Sequence, residues 1–304
     1  MANQQMTDFV VSNGVRLYYE KEGAGQSVLF IAGSTGAAGN FTRAARLLAN
    51  EFTVVSYDRR GNSRSERPKG WTTTSVAEQA DDAAGIIEVQ GLAPAVVFGA
   101  SAGGPIALDL MIRHPRLVRA GILQDPAIFS VLPDPAAALA PRRALIEDAL
   151  KTKGPRGTIE ALMCYLNDDS VLTAIPPDIL DRMLNNADTI LNIEAPGFAG
   201  WRPSRGDLAG LAVPIVLIVA RDTLPVYRQV TDALARQFDV EPITVPGGHG
   251  FYYYRPERIS PTRSVRFSVG SWMTEVRPDH GHTNCAVERT TGSHPFVAAA
   301  QRDR

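Results

Sequence analysis

The chain has 304 residues, 44% hydrophobic and 21% charged, and its 31 Lys+Arg against 32 Asp+Glu leave a formal charge of −1. Near-neutrality argues against a nucleic-acid binder, which needs a basic stripe to displace counterions from phosphates, and the hydrophobic share excludes a disordered chain. Cys164 and Cys285 are too few and too widely separated for a disulfide framework or a zinc ligand spacing. Met1 to Val11 carries no basic segment followed by an apolar one, and no aliphatic run approaches the roughly 20 residues that span a bilayer. A protein of the cytoplasm, without membrane contact, is expected.

In chain order, Phe9–Val11 and Val15–Tyr19 flank Asn13-Gly14, a dipeptide that tolerates positive φ at both turn centres, so the chain is expected to open with an antiparallel hairpin. Aliphatic runs at Val28–Ala32, Thr53–Tyr57, Ala95–Phe98 and Val118–Leu123 then alternate with Phe41–Ala49, Val76–Val89 and Ile106–Ile112, where apolar residues recur three and four apart. That alternation predicts an α/β fold, a mostly parallel sheet with helices on both faces. From Pro126 to Gly210 the strand signal disappears, and helical spacing shows in Ala138–Leu150 and Ile159–Leu166. The α/β rhythm resumes at Val213–Val219, continues through a helix over Val226–Phe238 and reaches a last strand at Pro242–Val245. The expected organisation is a core over 1–125 and 211–259 interrupted by a helical insertion over 126–210. A tail over 260–304, polar and without sustained periodicity, is expected to pack loosely.

The chemistry-bearing signal is Gly99-Ala100-Ser101-Ala102-Gly103, placed directly after the strand at Ala95–Phe98 and directly before a helix. G-x-S-x-G alone is a weak pattern that an ordinary glycine-rich turn also satisfies; its position gives it meaning. A serine in a tight strand-to-helix turn presents its hydroxyl, and the Ala102 N–H lies at a helix N-terminus, where free donors favour developing negative charge.

This strand, turn and helix resemble the nucleophile elbow of the α/β-hydrolase superfamily, whose chain order is serine, acid, histidine. Asp222, in Ala220-Arg221-Asp222-Thr223-Leu224-Pro225, looks like the family's acid loop with one residue fewer than its commonest spacing. His249, in Val245-Pro246-Gly247-Gly248-His249-Gly250-Phe251, is similar to its histidine loop, and Asp58-Arg59-Arg60-Gly61-Asn62-Ser63-Arg64-Ser65 to its D-x-R-G-x-G-x-S loop, with Asp58 and Arg60 structural. The resemblance implies an α/β-hydrolase fold with an inserted helical cap and a serine hydrolase acting on carboxylic esters or related acyl compounds. Ser101 would be the nucleophile, His249 the base and Asp222 the acid, with Asp125 as a competing acid because some members take theirs from that strand. Backbone N–H groups of Ser34 and Ala102 would receive the oxyanion. Many members have His-Gly where this chain has Ala32-Gly33, so a hydrogen bond that often steadies that loop is missing.

The same triad also serves cofactor-free perhydrolysis (the haloperoxidase-like members) and carbon–carbon bond hydrolysis, and a small-molecule receptor of this fold is the reading outside enzymes. No cofactor, metal or nucleic-acid partner is expected, only a small-molecule substrate; the oligomeric state stays open. The rival reading of Gly33 to Gly39 as a dinucleotide site fails on Thr35, which replaces the second glycine of G-x-G-x-x-G. His114, before Pro115, reads as a helix cap; His280, His282 and His294 lack the partners of a metal site. Phe251 to Tyr254 would either wall a pocket or pack under the insertion.

Overall fold

The computed structural model describes residues 5–254. The tail over 260–304, with Cys285, His280, His282 and His294, lies outside the described residues.

Eight strands form one sheet: β1 (Met6–Ser12), β2 (Val15–Glu22), β3 (Gln26–Ile31), β4 (Phe52–Tyr57), β5 (Ala95–Ala100), β6 (Val118–Gln124), β7 (Ile215–Ala220) and β8 (Ile243–Val245). Their spatial order is β1-β2-β4-β3-β5-β6-β7-β8, antiparallel from β1 through β2 to β4 and parallel from there on. The opening hairpin turns on Asn13 and Gly14 with φ of 47° and 73°, the left-handed conformation that this dipeptide accepts at low cost.

The core helices are α1 (Thr42–Leu48), α2 (Val76–Val89) and α3 (Gly103–Arg113), followed after the insertion by a helix over Pro225–Phe238. Ser75 caps α2 by accepting the Glu78 N–H at 3.0 Å, which is why the helix begins at Val76. Helices cover both faces. Ile86, Ile87, Ile106, Leu110, Val230 and Leu234 pack on one, while Phe41, Ala45 and Tyr252 pack on the other with Phe30 and Val54. Tyr252 stacks on Phe41 at 5.0 Å, away from the insertion, so this ring belongs to the core of that face.

Between β6 and β7 the described chain is helical, chiefly α4 (Ala140–Leu166), α5 (Pro177–Asn185) and a π-helical turn at Thr189–Glu194; the helix over Pro225–Phe238 is α6. The two helices expected over Ala138–Leu150 and Ile159–Leu166 run on as α4 with a break at Gly154, whose φ of 69° precedes Pro155. Proline removes the helical N–H and forces the break. Ile159, Met163, Ile175, Met183, Leu184 and Ile190 form a small apolar cluster of their own, joined by Ala37 from the core.

From β3 the chain goes outward to β4 and then returns through α2 to β5 on the other side of β3. The loops leaving β3 and β5 therefore part in opposite directions, and a crevice opens at the carboxyl ends of these two strands. Gly33 and Ser101 meet there.

Candidate active site

Ser101 follows β5 with φ of 51°, a conformation that β-carbon-bearing residues rarely adopt. Close packing enforces it. A β-carbon on Gly99 would stand 2.6 Å from the Gly103 carbonyl oxygen, and one on Gly104 2.6 Å from Pro126 Cβ. The Ser101 N–H donates to the Gln124 carbonyl at 2.9 Å, and its own carbonyl accepts from the Gly104 and Ala127 N–H groups, both at 2.9 Å. The turn is thus bound on both sides to β6 and its exit, which fixes where the hydroxyl can point.

Gly33 lies against this turn: a β-carbon there would be 3.0 Å from Ser101 Cβ. Among the described residues no acceptor takes the N–H of Ser34 or of Ala102. Two free donors therefore border Ser101, one from the loop after β3 and one at the N-terminus of α3.

His249, 3% exposed, follows β8. Its Nδ1 is 3.3 Å from Oδ2 of Asp125, and Asp125 is wholly buried. Asp125 is itself held: Oδ1 accepts the Ala220 N–H at 3.1 Å, and Oδ2 accepts from Gln124 Nε2 at 2.7 Å. Gln124 Nε2 also donates to the His249 carbonyl at 3.0 Å, so one amide grips both partners. Thr223 Oγ1 stands 3.5 Å from the same Nδ1. The opposite nitrogen, Nε2, is buried and has no partner among the described residues, an arrangement that leaves an acceptor available for a proton.

Tyr227, near the start of α6, packs against the imidazole. Its ring lies 4.2 Å from that of His249. Burial pushes its pKa above the ordinary 10.0, with Arg142 and the Ser101 hydroxyl pulling the other way. Phe129 packs on Tyr227 at 5.4 Å, and the Arg142 guanidinium of α4 stands 6.0 Å over Phe129. Side chains of the insertion thus wall this side of the crevice.

The description "Alpha/beta hydrolase family" matches residues 28–262. The chain belongs to the alpha/beta hydrolase family. Its relatives include the hydrolase YraK of Bacillus subtilis, 32% identical over 252 residues, which cover 80% of this chain and 90% of that protein. RutD of Azorhizobium caulinodans, provisionally named a carbamate hydrolase, is 29% identical over 230 residues, 72% of this chain and 82% of its own. A thermophilic esterase from Thermogutta terrifontis has the same fold, with a TM-score of 0.67 and 23% identity, covering 90% of this chain and 99% of its own.

Within this hydrolase fold Ser101, His249, Ser34 and Ala102 gather at one end of the sheet, whereas Asp222 does not join them. Asp222 is exposed, only its N–H being engaged, with the Gly247 carbonyl at 3.0 Å. Asp125 occupies the position against His249 that the sequence reading gave to Asp222. In the turn after β7 it is Thr223 that faces the imidazole, while Asp222 faces solvent. Asp125, with φ of 39°, ends β6 between the strands that carry Ser101 and Ala220, and the backbone turns its carboxylate inward.

The other readings fall into place locally. Asp58 is buried, accepting from the Ala38 N–H at 2.7 Å and from Arg64 Nε at 2.6 Å; Arg60 pairs with buried Asp82 at 2.6 Å. His114 caps the end of α3, its N–H donating to the Leu110 carbonyl at 2.8 Å, while its Nε2 pairs with Asp81 at 2.8 Å. Sequence reasoning missed Tyr227 and Thr223, which carry no motif, and Glu194, a single acid in a helical stretch.

Proposed function

We propose that the protein is a serine hydrolase of carboxylic esters or related small acyl compounds, working through an acyl-enzyme on Ser101. A serine hydroxyl near pH 7 needs a base to take its proton as it attacks, and in this reading that base is Nε2 of His249, its lack of a partner among the described residues supporting the role. Asp125 holds the other nitrogen, keeps the proton on Nδ1 and stabilises the imidazolium that forms. As the carbonyl becomes tetrahedral, its oxygen takes hydrogen bonds from the Ser34 and Ala102 N–H groups, strengthened by the end of the α3 dipole. The imidazolium then gives its proton to the leaving alcohol. A water, deprotonated in turn by His249, attacks the acyl-serine and releases the acid.

The observation that carries this reading is the buried His249–Asp125 pair, whose Nε2 has no partner among the described residues. Residues 126–210 act as a cap, supported by Phe129 and Arg142 at the wall of the crevice and by Asn167 Oδ1, which accepts the Gly250 N–H at 2.7 Å beside His249.

A fluorophosphonate probe tests the proposal. Wild type is expected to label and to hydrolyse p-nitrophenyl esters of short acyl chains, and Ser101→Ala to lose both. Absence of labelling in well-folded wild type would refute an activated serine.

A further inference from the structure

Arg59 is wholly buried, and its side-chain hydrogen bonds among the described residues go to Gln79, Glu194 and Gly33, not to Ser101, His249 or Asp125. Its guanidinium is divided between two jobs. Nη1 donates to Glu194 Oε1 at 2.6 Å and to Gln79 Oε1 at 2.5 Å. Nη2 donates to Glu194 Oε2 at 2.8 Å and to the Gly33 carbonyl at 2.9 Å. Glu194, 3% exposed, comes from the insertion, and its Oε1 also accepts from Asn62 Nδ2 at 2.8 Å and Gln79 Nε2 at 3.2 Å. A fork clamped on both sides by a carboxylate has little freedom to move away from the carbonyl it holds.

That carbonyl belongs to the Gly33–Ser34 peptide, which is trans; in a planar trans peptide the C=O and the following N–H point opposite ways. Whatever holds the Gly33 oxygen therefore aims the Ser34 N–H. The rest of the loop is pinned similarly: Gly36 N–H also donates to the Gly33 carbonyl at 2.9 Å, Arg59 N–H to the Gly36 carbonyl at 2.8 Å, and Asn186 of the insertion to the Thr35 carbonyl at 2.6 Å. Stability alone gives no reason for the ion pair, because well-packed apolar side chains commonly replace a buried pair at no cost.

We infer that Arg59, clamped by Glu194, is a positioning residue that sets the Gly33–Ser34 peptide and so aims the oxyanion-binding N–H of Ser34, making the insertion part of the acid-forming machinery as well as its cover. The inference rests on the serine-hydrolase reading above.

Two variants test it. Arg59→Met with Glu194→Leu removes the ion pair and leaves no unpaired charge, so the fold should survive. Arg59→Lys keeps the charge against Glu194 but cannot form the fork that spans Glu194 and Gly33. In both, kcat on a short-chain p-nitrophenyl ester is expected to fall on the order of 10-fold or more with KM unchanged, short of the 10²–10³-fold loss of a whole donor. Inhibition by a trifluoromethyl ketone, which forms an oxyanion on Ser101, should weaken in the same proportion, while inhibition by the product acid should not. Folded variants with wild-type kcat and ketone inhibition would overturn the inference while leaving the serine-hydrolase reading intact. A wild type without Ser101-dependent hydrolysis would overturn both.

Discussion

Asp125 and Asp222 differ by their surroundings, not their chemistry. The first is fully buried, is held by the Ala220 N–H and by Gln124, and faces His249 Nδ1; the second is in solvent. A carboxylate orients an imidazole only when it is itself oriented, and a hydrated surface carboxylate does not compete with a dry one at 3.3 Å. Asp125→Asn should therefore lower kcat by about 10³–10⁴-fold, because the amide favours the wrong imidazole tautomer. Asp222→Asn should leave kcat within about twofold, as surface substitutions away from special features generally do. Steady-state kinetics on one p-nitrophenyl ester decides between them, and the reverse ranking would restore Asp222.

The strand–turn–helix from β5 to α3 shows how an element carries a site. Its glycines are there for contact more than for freedom of φ: a β-carbon at Gly99 would meet the Gly103 carbonyl oxygen at 2.6 Å and Ala107 Cβ at 2.7 Å, and one at Gly103 would run into the Ile31 carbonyl. The helix can thus approach the sheet closely enough for the Ala102 N–H to border Ser101. Gly99→Ala should cost about 1–3 kcal/mol, the range for overpacking, and slow fluorophosphonate labelling as α3 shifts outward. The urea midpoint and the labelling rate read the two effects, and a variant unchanged in both would show that the turn has slack. The pattern in the sequence marked this element because packing of this tightness leaves so few residue types admissible.

At the scale of the whole molecule, the insertion and the core share buried polar ties. Glu194 meets Arg59, Asn186 reaches Thr35, and Thr189 Oγ1 donates to the Gly61 carbonyl at 2.7 Å. Two phenols in this assembly, Tyr57 in the core and Tyr227 at the crevice, are fully buried, and burial raises the pKa of both above the ordinary 10.0. Folded protein therefore keeps both protons at pH values where unfolded chain has lost them. With fewer protons bound by the unfolded state, unfolding becomes easier as pH rises, so this contribution to stability is complete below pH 10.0 and falls above it. Urea midpoints should drop between about pH 10 and 12, and Tyr57→Phe should flatten the drop. A wild-type profile flat across that window would contradict the burial of these hydroxyls.

The amino-acid order alone determined the hairpin at Asn13-Gly14, all eight strands to within a few residues, the core helices and the place of Ser101 and His249, because each rests on local periodicity, turn chemistry or a short motif. Asp58 and Arg60 were likewise legible as structural from their loop. Packing alone decided the rest. Which aspartate meets His249 depends on which carboxylate the folded backbone buries beside the imidazole. Tyr227 became a neighbour of Ser101 only when α6 settled over the crevice, and Glu194, distant along the chain from Arg59, found its partner only when the insertion folded back. Such contacts follow from shape and burial across long sequence separations, where residue spacing carries no signal.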